Sequence, residues 1–223
     1  MYRVEDKFGC SRAELYHLQK RLGYVLESDS NENNIEGYKV SSLYFDDLQD
    51  SCLRDTIEGY RSRRKYRIRI YNDSFDAIKL EVKEKQNNRI YKLSRTITKE
   101  EMDRLICGEC IDCTYEKDDP ATLFNLAIKE ANLRPKVIVT YERKAFVYDW
   151  GNVRITLDRN VRGSNDILHF GEKEIAYDFV RESDAVLEVK YDEFMPQFIL
   201  QLLELGNMKQ TAYSKYQLCR ELF

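Results

Sequence analysis

The chain has 223 residues, 34% charged, 43% hydrophobic and 12% aromatic, with 9 Gly, 3 Pro and a formal net charge of −3. This composition suits one globular domain with a substantial core and excludes a disordered chain, while only 2 His argue against histidine-rich zinc chemistry and a Ser-His-Asp triad. No apolar run approaches the ~20 residues of a membrane span, and Met1–Lys7 does not read as a secretory leader, so the cytoplasm is the expected compartment.

Residues 3–8 read as a short strand. Ser11 with Glu14 three positions on is a capping box, and Leu15, Leu18 and Leu22 give the following helix one apolar face. A polar loop (27–37) leads to a strand over 38–45 and a short helix over 48–57 that ends near Gly59. Three strands are expected at 63–71, 77–85 and 89–97, joined at Asn72-Asp73 and Asn87-Asn88. Thr98 and Glu101 form a second capping box, before a helix to about Cys107, and Asp119-Pro120 opens another. Residues 136–148 and 152–157 make a hairpin around Trp150-Gly151-Asn152. A strand over 184–191 and helices over 196–204 and 213–222 complete the chain. No repeat, linker or domain boundary is visible, so residues 1–223 read as a single domain.

Neither GxxxxGK[ST] nor GxGxxG occurs, which excludes the common nucleotide-binding loops. Cys107, Cys110 and Cys113 are spaced C-x2-C-x2-C, but no fourth Cys or His lies nearby in sequence to complete a zinc or iron–sulfur site. The cysteines are expected to be reduced thiols.

The charge is unevenly placed. Residues 60–95 hold 12 Lys and Arg against 4 Asp and Glu, so the remainder of the chain is acidic. In a strand, residues i, i+2 and i+4 share a face. Arg61, Arg63, Lys65, Arg67 and Arg69 therefore project together, away from Tyr66, Ile68 and Ile70. Lys79, Glu81, Lys83 and Lys85 oppose Ile78, Leu80 and Val82, and Tyr141, Arg143 and Ala145 alternate with Thr140, Glu142 and Lys144. Arg154, Thr156 and Asp158 oppose Val153, Ile155 and Leu157, while Glu188 and Lys190 alternate with Leu187 and Val189. Like charges on adjacent strands repel by roughly 0.2–1 kcal/mol per close pair, so a polyanion held between these faces explains them better than a plain wet surface. Curling the sheet to turn them inward gives an α+β fold: an antiparallel β-barrel tunnel with a charged lumen and helices packed outside. Glu5, Glu81 and Glu188 would offset the lumen charge and offer carboxylates to a divalent cation.

The stretches RVEDKF (3–8), SLYFD (42–46), RKYRIRIY (64–71), LEVKEK (80–85), Lys92–Arg95, YERKAF (141–146), VRITLD (153–158), LEVKY (187–191) and YSKY (213–216) resemble, in that order, those of the VTC domain. This is the polyphosphate polymerase domain of vacuolar transporter chaperone proteins and their bacterial relatives, within the triphosphate tunnel metalloenzymes. The resemblance implies a tunnel binding ATP and inorganic polyphosphate, with Mn²⁺ or Mg²⁺ as cofactor. It places Arg67, Arg69, Lys83, Arg143 and Arg154 at the reacting phosphates, with Lys7, Lys92, Arg95, Lys190, Ser214 and Lys215 as further phosphate contacts. Glu188 is the implied metal ligand, although it also reads as an ion-pair partner of an Arg; Ser214 likewise reads as the cap of the last helix. Eukaryotic relatives work as membrane complexes, which implies a membrane-protein partner at the cytoplasmic face. The ExExK opening of the phosphatase cousins is altered, because Arg3 stands at the first acidic position.

The implied reaction is transfer of the γ-phosphate of ATP to a growing polyphosphate chain, which needs positioning and cations rather than a His or Cys nucleophile. A triphosphatase or polyphosphatase in the same tunnel and a non-catalytic polyphosphate-binding module are the alternatives. Nucleic acid is not expected, because the basic faces over 61–69 and 79–85 carry no aromatic platform for bases.

Overall fold

Alternating strands and two well-capped helices dominate the sequence, and the computed structural model builds both. It describes residues 4–29, 37–87, 89–180, 185–204 and 208–223; the readings of Arg3, Asn88, Asp184 and residues 30–36 of the polar loop lie outside these. The chain starts with β1 (Val4–Cys10), α1 (Arg12–Gly23) and a two-residue β2 (Glu27–Ser28). Next come β3 (Tyr38–Asp46), α2 (Ser51–Ile57), β4 (Ser62–Tyr71), β5 (Ser74–Gln86) and β6 (Arg89–Ile97). After α3 (Lys99–Ile106) and α4 (Pro120–Ala131) lie the long β7 (Arg134–Tyr148) and β8 (Val153–Ser164). The last elements are β9 (Asp178–Phe179), β10 (Ala185–Tyr191), α5 (Gln197–Leu203), β11 (Lys209–Gln210) and α6 (Lys215–Arg220). The fold is α+β and mostly antiparallel sheet. Among the described residues no helix is long and apolar enough to cross a membrane.

Both capping boxes form. Ser11 accepts from the Glu14 amide while Glu14 reaches back to the Ser11 amide, and Thr98 with Glu101 repeats the arrangement. Asp119 caps α4, with Pro120 in the first turn where its missing N–H costs nothing. Asn72 and Asp73 both adopt left-handed φ (52° and 54°), the geometry a tight hairpin between β4 and β5 requires.

Two compact units are present. The first comprises Met1–Lys39, Tyr141–Val161 and Phe179–Tyr213, and the second Val40–Thr140, Arg162–Asp178 and Ser214–Phe223. In the first, strands run in the order β11-β1-β10-β8-β7, with α1 and α5 covering one face. Leu15, Leu18, Leu22, Ile199 and Leu203 from the helices meet Phe8, Phe146, Ile155, Leu157 and Leu187 from the strands. In the second, the order is β7-β3-β4-β5-β6, with α3 and α4 on the apolar face. Phe124 of α4 sits edge-on to Phe45 and Tyr66, at 5.3 Å from each ring, above Ile68, Leu80 and Val82. Each such buried side chain stabilises its unit by roughly 1.5–3 kcal/mol. α1 and α5 in the first unit and α3 and α4 in the second thus occupy the apolar face of the strands, and the charged positions lie on the other.

Candidate functional site

In the second unit, register decides which charges meet. Tyr44 on β3 pairs with Arg67 on β4, which pairs with Glu81 on β5, and Glu81 pairs with Ser94 on β6. The neighbouring rows are Ser42–Arg69–Lys79–Thr96 and Lys65–Lys83–Lys92. Glu81 is buried and is the common counterion of three cations. Arg67 Nε lies 2.6 Å from its carboxylate, Arg69 Nη1 lies 3.8 Å away, and Lys92 Nζ makes a close ion pair with its other oxygen. Burial alone would raise the Glu81 pKa, but Arg67, Arg69 and Lys92 overcome this and hold it far below the usual carboxylate range. With one anion among three cations, the cluster keeps a net positive charge.

Neighbouring side chains fix the orientation of these cations. Arg67 donates to the Tyr44 hydroxyl at 2.9 Å, and Arg69 Nε donates to Ser42 Oγ at 3.2 Å. The Tyr44 ring stacks on Tyr216 of α6, with centroids 4.9 Å apart. The Tyr216 hydroxyl donates to Asp46 at 2.6 Å, and Asp46 also accepts the Cys52 and Leu53 amides at the start of α2. Ser214 caps α6 by accepting from the Gln217 amide, and it also accepts from Lys65 Nζ at 3.0 Å. Lys215 follows in the first turn of α6. Arg67, Arg69, Lys83 and Lys92 thus share one face, and Ser214 is tied to it through Lys65.

Arg95 is not brought to this cluster. It pairs with Leu80, on the apolar face of β6 opposite Lys92 and Ser94. There it bonds Glu101 at 3.1 Å, Asp119 at 3.3 Å and the Asp112 carbonyl at 3.0 Å, clamping the starts of α3 and α4.

The first unit carries a second charged cluster. Lys7 pairs with Glu188 and Glu5 with Lys190 across β1 and β10. Lys7 Nζ lies 3.1 Å from Glu5 and 3.9 Å from Glu188, and donates to the Tyr213 carbonyl at 3.2 Å. Lys190 contacts both carboxylates, Glu188 closely and Glu5 at 3.6 Å. Arg154 pairs closely with buried Asp29 and donates to the Tyr38 hydroxyl at 3.3 Å. Arg143 makes a two-pronged bond to fully buried Asp158, 2.7 Å on each arm. Burial alone would lower the Arg143 pKa, but Asp158 chiefly holds it well above the usual value, so this arginine stays charged.

Two carboxylates on adjacent strands match what Mg²⁺ and Mn²⁺ take from protein when phosphate oxygens fill the other positions. Thr156 stands opposite Glu188 on β8, and its buried hydroxyl has no hydrogen-bond partner, which adds one hard oxygen to the set. Among the described residues no group of three or more His, Cys, Asp and Glu is gathered for a metal. The oxygens of Glu5, Glu188 and Thr156 would suit a divalent cation whose other positions are filled by phosphate. Cys107, Cys110 and Cys113 carry free thiols, like the other three cysteines.

Sequence reading missed Tyr44 and Ser42, although both share strand parity on β3 and face the arginines of β4 in register. Asp29 and Tyr38, which hold Arg154, are long-range partners with no local signal.

The family model described as the VTC domain matches residues 2–223. The chain belongs to the VTC domain family. Solved structures share its fold. A candidate adenylate cyclase from Bacillus halodurans is 12% identical with a TM-score of 0.57, over 96% of each chain. A candidate adenylyl cyclase from Hippeastrum, described as revealing a dominant triphosphatase activity, is 13% identical with a TM-score of 0.55, over 99% of this chain and 96% of that one. A candidate adenylate cyclase from Vibrio parahaemolyticus is 13% identical with a TM-score of 0.53, over 98% and 97%. At such identities the likeness is one of fold alone. No curated protein sequence matches the chain.

Proposed function

We propose that this VTC-family chain is a polyphosphate polymerase that transfers the γ-phosphate of ATP to a growing inorganic polyphosphate. The observation that carries the reading is the Arg67–Arg69–Lys92 cluster around Glu81, oriented by Tyr44 and Ser42 before any ligand arrives. A terminal phosphate oxygen of the polymer attacks the γ-phosphorus, the bond to the β,γ-bridging oxygen breaks, and ADP leaves. Charge spreads over the equatorial oxygens of a loose transition state, so preset cations supply most of the catalysis. Arg67 and Arg69 offer forked donors to paired oxygens, while Lys83 and Lys92 act as point charges.

By family likeness Lys7, Lys190, Ser214 and Lys215 are assigned further phosphate contacts, and Arg143 and Arg154 are assigned to the reacting phosphates. Arg143 and Arg154 do this with buried acids behind them, which limits their freedom. Glu188, with Glu5 and Thr156, would hold Mn²⁺ or Mg²⁺, which when bound neutralises phosphate charge. Closure of the sheet into a tunnel and action of residues 1–223 as a single domain belong to this reading. So do a cytoplasmic setting and a membrane-protein partner.

The Hippeastrum protein's described triphosphatase activity favours a second reading, in which water replaces the phosphate acceptor. ADP, free phosphate and polymer should be measured together in wild type, Arg67→Ala and Glu188→Ala, with ATP and Mn²⁺. Polymer and ADP rising together in wild type, with both lost in the two variants, is the expected result. Free phosphate without polymer would move the assignment to hydrolase, and no metal-dependent turnover would overturn both.

A further inference from the structure

Three large rings stand out from the surface of the first unit. Trp150, Phe194 and Phe198 are 74%, 54% and 37% exposed. Trp150 lies at the tip of the β7–β8 hairpin, while Phe194 precedes α5 and Phe198 stands in its first turn. Backbone contacts hold the two segments together. The Asp192 amide donates to the Gly151 carbonyl at 3.0 Å, and the Asn152 side chain donates to the Asp192 carboxylate at 3.1 Å. Gly151 has φ +78°, and a Cβ there would come within 2.6 Å of the Phe194 carbonyl oxygen, so this approach requires glycine. Tyr148 sits edge-on to Phe198, with ring centroids 5.3 Å apart. The rings are therefore presented on a fixed base, which spares a partner the cost of ordering them.

The charge around the rings has one sign. Residues 145–153 and 191–204 hold Asp149, Asp192, Glu193 and Glu204 and neither Lys nor Arg, in a chain with 36 of those bases. Asp149 and Glu193, next in sequence to Trp150 and Phe194, are exposed. On the neighbouring strand, exposed Glu27 of β2 pairs with Val147 of β7. The bases at the end of α1 are engaged: Arg21 bonds Glu204 at 2.6 Å, and Lys20 lies over the Tyr16 ring. At about 200 Å² for a large ring, the exposed fractions leave roughly 300 Å² of apolar surface, a size that marks binding patches on monomers.

We infer that this patch docks a basic amphipathic helix of a partner protein. Its apolar stripe, at i, i+3 and i+4, lies on Trp150, Phe194 and Phe198, and its Lys or Arg side chains face Asp149 and Glu193. Two other occupants fit less well. A second copy of this chain would set these acids against the same acids across a two-fold axis. The patch also falls well short of the roughly 800 Å² per partner that a stable interface buries. A membrane surface carries anionic headgroups, which attract bases and repel these acids. The inference deepens the partner part of the proposed function without resting on the phosphate reaction, so either stands if the other fails.

The chain has one Trp, so its fluorescence reports this patch directly. The probe is a synthetic helical peptide of Leu and Lys, with Leu at i, i+3, i+4 and i+7. Two controls carry Glu in place of Lys, or Ser in place of Leu. At physiological ionic strength the Leu/Lys peptide should shift Trp150 emission to the blue and bind at least tenfold tighter than either control. F194A, which keeps the reporter, should lose roughly tenfold of that affinity. D149K/E193K should lose as much and take up the Leu/Glu peptide instead. Both variants change exposed side chains, so their thermal midpoints and tripolyphosphate affinities should match wild type. No blue shift with the Leu/Lys peptide, or an affinity that F194A leaves unchanged, would overturn the inference. Equal binding of the Ser control would also overturn it, since charge alone would then account for the contact. A shift produced by phosphatidylcholine vesicles and not by the peptide would reassign the patch to a membrane, and dimers abolished by F194A would reassign it to a second copy. Wild type that takes the peptide but no tripolyphosphate would sink the phosphate reading and leave this inference standing.

Discussion

Replacing Glu81 with Ala removes the carboxylate shared by Arg67, Arg69 and Lys92. Breaking a buried charge cluster by deleting one partner costs about 3–5 kcal/mol, because the remaining charges stay desolvated and unpaired. The Arg67 and Arg69 side chains are 15% and 9% exposed, so they carry most of this cost; Lys92, at 44%, is screened by water. The lower end, about 3 kcal/mol, is expected. With a urea dependence of about 1–3 kcal/mol per molar, the unfolding midpoint should fall by about 1–3 M. Saturating tripolyphosphate should restore much of it, since ligand at a hundred times its dissociation constant stabilises by about 2.7 kcal/mol. The same cluster sets a pH dependence. Glu81 is held ionised far below its unfolded value of about 4.3, so its contribution is complete above that pH and is lost as the pH falls below it. Glu81→Gln should show a flatter loss of stability in that acid range than wild type. A Glu81→Ala midpoint within about 0.3 M of wild type, unmoved by tripolyphosphate, would refute the claim that three cations depend on this carboxylate and await a phosphate.

Three further outcomes test other parts of the structure. Asp158→Ala leaves the buried Arg143 guanidinium without its two-pronged partner and should destabilise by about 3–5 kcal/mol in thermal unfolding; a loss under about 1 kcal/mol would mean water already screens the pair. Thr156→Val replaces a partnerless buried hydroxyl by a methyl of similar shape. It should be neutral or slightly stabilising in urea yet weaken Mn²⁺-dependent triphosphate binding, and unchanged metal dependence would remove Thr156 from the donor set. Thr98→Ala removes the cap of α3 and should cost about 1 kcal/mol with no change in phosphate affinity.

Local signals carried most of the element assignment. Ser11 with Glu14, Thr98 with Glu101 and Asp119 before Pro120 each mark a helix start whose chemistry is complete within four residues, and all three caps form. Strand parity separated Tyr66, Ile68 and Ile70 from Arg67 and Arg69 without knowledge of any partner. The same parity rule applied to β6 puts Arg95 with Leu93 and Ile97; grouping it with Lys92 by family resemblance sets that rule aside. Strand β8 runs on to Ser164, past the expected end at Leu157, because the polar stretch Arg159-Asn160 continues the ladder although Asn160 turns to φ 54°. The two-residue strands β2, β9 and β11 have no hydrophobic period to read. The pairing of Asp29 with Arg154 and of Tyr216 with Asp46 spans distant parts of the chain, so the fold, not the local sequence, selects those partners.

The central claim concerns where the γ-phosphate goes. Purified protein should be given ATP labelled at that position, with Mn²⁺ and a short polyphosphate primer, and the label followed into polymer and into free phosphate. The polymerase account predicts label in acid-stable polymer, with one ADP formed for each phosphate incorporated and both lost in Arg67→Ala. Label released wholly as free phosphate, with the primer unchanged in length, would contradict it.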